Sequence, residues 1–99
     1  MKVNFGHAGI VVPDLDVAVE FYSRFLNLKE SFRFEWDGSN ESVAQVINLE
    51  GSAAKVAMLE GDGFNIELFQ YSAPDQQGDP ASHPPCDPGI RHVAFEFDD

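Results

Sequence analysis

Phe64-Asn65-Ile66-Glu67-Leu68-Phe69-Gln70-Tyr71 reads as a buried strand that carries one carboxylate, Glu67, between apolar neighbours. Burying an ionised carboxylate costs several kcal/mol unless a cation, a metal or strong donors meet it. Two other strand-like runs each carry one histidine. They are His7 in Asn4-Phe5-Gly6-His7-Ala8-Gly9-Ile10-Val11-Val12 and His92 in Ile90-Arg91-His92-Val93-Ala94-Phe95-Glu96-Phe97. Three ligand-type side chains on three strands suggest a metal site. They are too far apart in sequence for a local ligand loop, so only the fold can assemble them.

Working outward from this strand, Lys55 to Glu60 reads as its antiparallel partner, joined to it by Gly61-Asp62-Gly63. Upstream, Val3 to Val12 is a strand ended by Pro13, with His7 on the alternation face of Phe5, Gly9 and Val11. Pro13-Asp14-Leu15-Asp16 opens a helix, with Asp16 expected as N-cap, and Asn27 closes it. Ala18, Phe21, Tyr22, Phe25 and Leu26 form the apolar stripe expected to pack against the sheet. Glu30 to Trp36 alternates with period two, placing Phe32, Phe34 and Trp36 on one face of a half-buried strand. Glu41 to Leu49 follows as a short connecting helix.

The order is therefore β-α-β-β-β over residues 1–71. Ser72 to Gly89 holds five of the six prolines and reads as a linker, leaving 90–99 as a further strand. That strand repeats the opening theme, in which a histidine starts an apolar run that ends in aspartate.

The whole is expected to be one domain of 99 residues with a modest core. A net charge of −11 with six Lys and Arg and no basic cluster excludes a footprint for nucleic acid or an anionic membrane. The start at Met1-Lys2-Val3 shows no signal peptide or membrane span, and one cysteine forms no intrachain disulfide. A cytoplasmic protein is expected. Cys86 and His83 read as incidental loop residues.

These residues carry a resemblance to a known family. Gly6-His7-Ala8-Gly9-Ile10-Val11-Val12-Pro13-Asp14-Leu15-Asp16, Phe21-Tyr22, Phe25-Leu26-Asn27-Leu28, Ile66-Glu67-Leu68-Phe69 and Gly89-Ile90-Arg91-His92-Val93-Ala94-Phe95 together resemble the vicinal oxygen chelate superfamily of glyoxalases, bleomycin-resistance proteins and extradiol dioxygenases. The resemblance implies an α+β fold in which β-α-β-β-β modules pair into an open, cup-shaped mixed sheet. It implies His7 and Glu67 as metal ligands of the first module and His92 as the first ligand of the second. It also implies a divalent metal, among which Zn²⁺, Ni²⁺, Co²⁺, Mn²⁺ and Fe²⁺ are not separable by ligand type. The second module stops at its first strand, so the expected form is a fragment of a longer protein or a short form completed by a homodimer. The implied activity is that of a glyoxalase-like lyase or isomerase on a small molecule. Vicinal substrate oxygens on the metal stabilise an enediolate, and Glu67 is the catalytic base. The alternatives are a metal-free cup that sequesters a hydrophobic compound, lined by Phe32, Phe34, Trp36 and Phe69, and an inactive fragment.

Overall fold

The computed structural model describes residues 1–79 and 82–98. Pro80 and Ala81 of the expected linker and Asp99 of the expected last strand lie outside the described residues. The elements run β1 (Ala8–Val11), α1 (Leu15–Phe25), β2 (Lys29–Trp36), α2 (Glu41–Ile47), β3 (Ala53–Glu60) and β4 (Asn65–Ala73). The four strands make one mixed sheet in the order β1-β4-β3-β2, with β1 parallel to β4 and the other pairs antiparallel. This is the expected α+β module.

Strand alternation divides the sheet into two chemically distinct faces. Ile66 and Leu68 of β4 and Ala57 and Leu59 of β3, none more than 1% exposed, point to α1 and join Leu15, Ala18 and Leu28 in the main core. The opposite face gathers Glu67, Phe69 and Tyr71 of β4 with Ala54, Val56 and Met58 of β3 and Phe32, Phe34 and Trp36 of β2. There Trp36, Ala54 and Val56 are buried under Phe69, Tyr71 and α2 residues Val43 and Ile47. The Trp36 indole N–H donates to Ser52 Oγ at 3.0 Å, which satisfies both buried polar atoms.

Helix α1 begins two residues earlier than the sequence suggested. Asp14, not Asp16, is the N-cap, its carboxylate accepting from the Val17 N–H. Asp16 instead receives Arg33 at 2.7 Å, and Arg33 also donates to Glu30 at 2.8 Å. These contacts hold the Arg33 guanidinium above its ordinary pKa. The Leu15 N–H, another donor at this helix end, is met by the Gln70 side chain at 2.7 Å, which ties α1 to β4. Asn27 closes the helix in the left-handed region, as expected.

The apolar stripe on α1 is rotated from the expected one. Ala18, Tyr22 and Leu26 face the core, whereas Phe21 and Phe25 are more than half exposed. Leu15 takes the innermost place, and a helix can present only one narrow stripe to a flat sheet. Strand β1 is also shorter than expected. Its partner β4 begins at Asn65, and the register pairs Ala8 with Ile66, so residues 3–6 lie beyond the start of β4. The strand expected over 90–99 does not form over its described part. Residues 90–98 have no strand assignment and no ladder partner among the described residues.

Two substitutions test this account. Leu68→Ala should cost about 2–5 kcal/mol by removing a fully buried side chain from the central strand. Asp14→Ala should cost about 0.5–2 kcal/mol through the lost cap. Urea unfolding of both variants against the parent chain checks the ranking, and an Asp14→Ala loss equal to that of Asp16→Ala would contradict the cap assignment.

Candidate functional site

The site is built on the central strand β4 and its parallel neighbour β1. Glu67 stands opposite Gly9 on one side and Met58 on the other. Gly9 presents no side chain, and a Cβ there would already touch the Phe69 ring at 3.4 Å. His7 lies two residues before Gly9, just ahead of the start of β1. Its Nε2 lies 3.3 Å from Glu67 Oε1, with the carboxylate side chain 15% exposed and the imidazole 43%. A mostly buried acid thus meets a group able to share its proton or balance its charge.

His92 is placed differently. It lines, with His7, Asn65, Phe64 and Phe95, an open cavity of about 860 Å³ between β1, the β3–β4 turn and residues 90–97. Among the described residues, no three His, Cys, Asp or Glu side chains converge closely enough to hold a metal ion. The structure therefore brings together two of the three expected ligands, His7 and Glu67, and leaves His92 on the same cavity wall without joining them. Two donors are fewer than the three protein ligands of an ordinary catalytic metal centre, so this arrangement does not by itself fit a divalent ion.

Two further residues were passed over in the sequence. Asn65 and Tyr71 share the alternation face of Glu67, a period-two signal already visible in Asn65-Ile66-Glu67-Leu68-Phe69-Gln70-Tyr71. Asn65 brings an amide to the cavity. Tyr71 stacks on Phe69 and meets Trp36 edge-on at 5.8 Å. Burial, and secondarily the negative charge of Glu67, push the Tyr71 phenol above its ordinary pKa of 10.0, so it stays a hydrogen-bond donor through the neutral range. His83 and Cys86 are exposed loop residues, as expected.

A sequence profile of the Glyoxalase/Bleomycin resistance protein/Dioxygenase superfamily matches residues 6–99. The chain belongs to this superfamily. Within it, the chain is 36% identical over 73 residues to a 2-epi-5-epi-valiolone epimerase from Actinomyces sp., a match that covers 72% of this chain and 40% of the epimerase. Its fold is similar to the crystal structure of a glyoxalase family protein from Bacillus cereus. That match has a TM-score of 0.76 and 23% identity, and covers 91% of this chain and 60% of the other. The chain thus spans less than two thirds of the length of either relative. The similarity of fold agrees with the four-stranded open sheet and two helices found here, in the order β-α-β-α-β-β.

The coupling of Tyr71 to Glu67 is open to titration. The folded state holds the phenolic proton more tightly than the unfolded chain does. Its contribution to stability is therefore full below pH 10.0 and is lost as pH rises through the folded pKa. Ultraviolet titration of tyrosinate, with Tyr71→Phe to assign the signal, should show Tyr71 ionising later than a free phenol. Glu67→Gln should move it part of the way back, and no movement would mean that burial alone sets the shift.

Proposed function

We propose that this chain is the Glu67-bearing module of an enzyme that moves a proton on a carbon next to a carbonyl group, with epimerisation as the outcome. The observation that carries the reading is the largely buried Glu67 carboxylate with His7 Nε2 at 3.3 Å, the imidazole in turn lining an 860 Å³ cavity. A carboxylate so placed can take the proton from the carbon. The C–H electron pair then forms a C=C bond as the carbonyl oxygen gains charge, and the product is an enediolate when the carbon also bears a hydroxyl. Return of a proton to the opposite face of that carbon gives the epimer; return to the neighbouring carbon gives the isomer. The similarity to an epimerase over 72% of the chain supports the first outcome over the glyoxalase-type isomerisation.

In this reading Glu67 is the base and His7 orients it and shares its proton. Asn65, which lines the same cavity, is a neutral donor available to substrate oxygens, and the Tyr71 phenol lies further along the face of Glu67. A divalent cation, when bound, would supply positive charge to two adjacent substrate oxygens. Its expected donors are His7, Glu67 and His92, of which the described conformation gathers two. β4 runs to Ala73, two residues past the expected end of the module, so in this proposal the linker is 74–89 and 90–99 is the start of a second module, completed by further chain or by a second copy.

A second reading rests on a separate observation. Phe32 and Phe34 stand 48% and 44% exposed on the same face as Glu67, an apolar surface suited to holding a hydrophobic compound without chemistry.

Both readings meet one experiment. Incubated with 2-epi-5-epi-valiolone in D₂O, the protein should wash deuterium into the carbon next to the carbonyl, as followed by NMR. Glu67→Gln should slow this by roughly 10²–10⁴, the usual worth of a positioned base. Exchange at parental rate in Glu67→Gln would remove Glu67 from the chemistry. Quenching of Trp36 fluorescence by a hydrophobic ligand, with no exchange at all, would favour the binding reading.

A further inference from the structure

The turn between β3 and β4 carries a chemistry that the site does not use. Aspartate is followed by glycine at two places in the chain, Asp37-Gly38 and Asp62-Gly63. In such a pair the glycine amide nitrogen can attack the carboxyl carbon of the aspartate, because no side chain on the glycine shields that nitrogen. Local sequence makes the two pairs equivalent, and both are exposed. The fold separates them by how it holds each carboxylate and each glycine.

At the first pair the carboxylate is occupied. Asp37 Oδ1 accepts from the Ser39 hydroxyl at 2.5 Å and from the Ser39 N–H at 2.9 Å. The hydroxyl, and after it the amide, hold the Asp37 carboxyl below its ordinary pKa, so the neutral acid from which an oxygen can leave is rare. The same bonds tie the side chain to the residue beyond the glycine. Gly38 is also backed against residue 51, where a Cβ would lie 3.3 Å from the Gly51 carbonyl oxygen.

The second pair is unrestrained. No hydrogen bond or ion pair engages Asp62 among the described residues. Gly63, with φ +88°, has nothing within 4 Å of where a Cβ would stand, so the space that a new ring needs is open. The base of the turn is fixed instead. The Gly61 N–H donates to the Phe64 carbonyl at 2.9 Å, and a Cβ on Gly61 would lie 2.5 Å from the Leu28 side chain. Asp62 lines the large cavity together with Phe64 and Asn65, so a change at this tip is a change at the cavity wall.

We propose that Asp62 is a site of spontaneous rearrangement from aspartate to isoaspartate, and that the folded chain confines this modification to the tip of the β3–β4 turn. The Gly63 nitrogen forms a bond to Asp62 Cγ as a C–O bond of the protonated carboxyl breaks. The amide proton and the departing hydroxyl leave as water, and a succinimide ring remains. Water then adds to either ring carbonyl. Addition at Cγ restores aspartate. Addition at the main-chain carbonyl breaks its bond to nitrogen, so the backbone runs on through Cγ with an extra carbon and leaves a free α-carboxylate. That carboxylate is the group to which an isoaspartyl methyltransferase adds a methyl group.

The test ages the native protein at neutral pH and then labels isoaspartate with such a methyltransferase and tritiated S-adenosylmethionine, followed by peptide mapping. Label should gather on the peptide containing Asp62 at least about ten-fold faster than on the peptide containing Asp37, the factor that one hydrogen bond to a charged carboxylate is worth. Asp62→Glu keeps the charge, but its longer side chain closes the ring far less readily, so it should lose the label and thereby assign it. Chain aged in urea should label both peptides alike, because unfolding removes the Ser39 contacts. Equal labelling of the two peptides in the native protein overturns the proposal. So does an absence of label at Asp62 over a time in which the urea-unfolded chain labels both.

Discussion

The placement of one carboxylate on the central strand governs this fold. β4 is paired on both sides, so each of its side chains is committed to one of two faces. Ile66 and Leu68 seal the helix side completely, and Glu67 is forced by alternation onto the other. A one-residue slip of β4 would drive the acid into the α1 core and expose two of the most buried side chains in the molecule. The hydrophobic gain on one face therefore fixes the position of the polar group on the other. The local chain supports this with Gly9, whose missing side chain makes room, and with His7, which meets the acid at 3.3 Å.

Much of this was legible in the sequence because it follows from period two. The residue pattern around Glu67, the turn at Gly61-Asp62-Gly63 and the alternation of Phe32, Phe34 and Trp36 all survive in the structure within a residue or two. His7 and Glu67 meet because both lie on the odd-numbered face of neighbouring strands. What failed depended on partners that no local pattern reveals. Val3 to Gly6 has strand-like composition but lies beyond the start of β4. The α1 stripe could be drawn through Phe21 and Phe25 or through Leu15 and Ala18. Tertiary packing chose the second, since the Leu15 N–H also donates to the Gln70 side-chain oxygen, which docks the helix. His92 lies on a segment of strand-like composition that has no ladder partner among the described residues, so its place was not readable from local pattern.

The edges carry a related lesson. Composition made β2 the aromatic strand and β1 the plain one, yet β2 is defended against pairing and β1 is open. Lys29, the irregularity at Ser31 and the Asp16–Arg33–Glu30 network occupy the β2 rim. The first strand carries only Ala, Gly, Ile and Val, a sequence with small or β-branched side chains that a neighbouring strand can approach closely.

Electrostatics then decide what the site can accept. The net charge of −11 lowers the cost of bringing a cation close and raises that of an anion. The arginines are spent elsewhere. Arg33 serves Asp16 and Glu30, Arg24 serves Glu20, and Arg91 serves the carbonyls of Asp87 and Pro88. The group set against Glu67 is an imidazole, which carries charge only when it holds a proton. The partner of Glu67 is therefore not a fixed cation. An arginine in the same place would have locked the acid into a permanent ion pair. Histidine brings a group that can donate, accept or carry charge, where arginine could only donate.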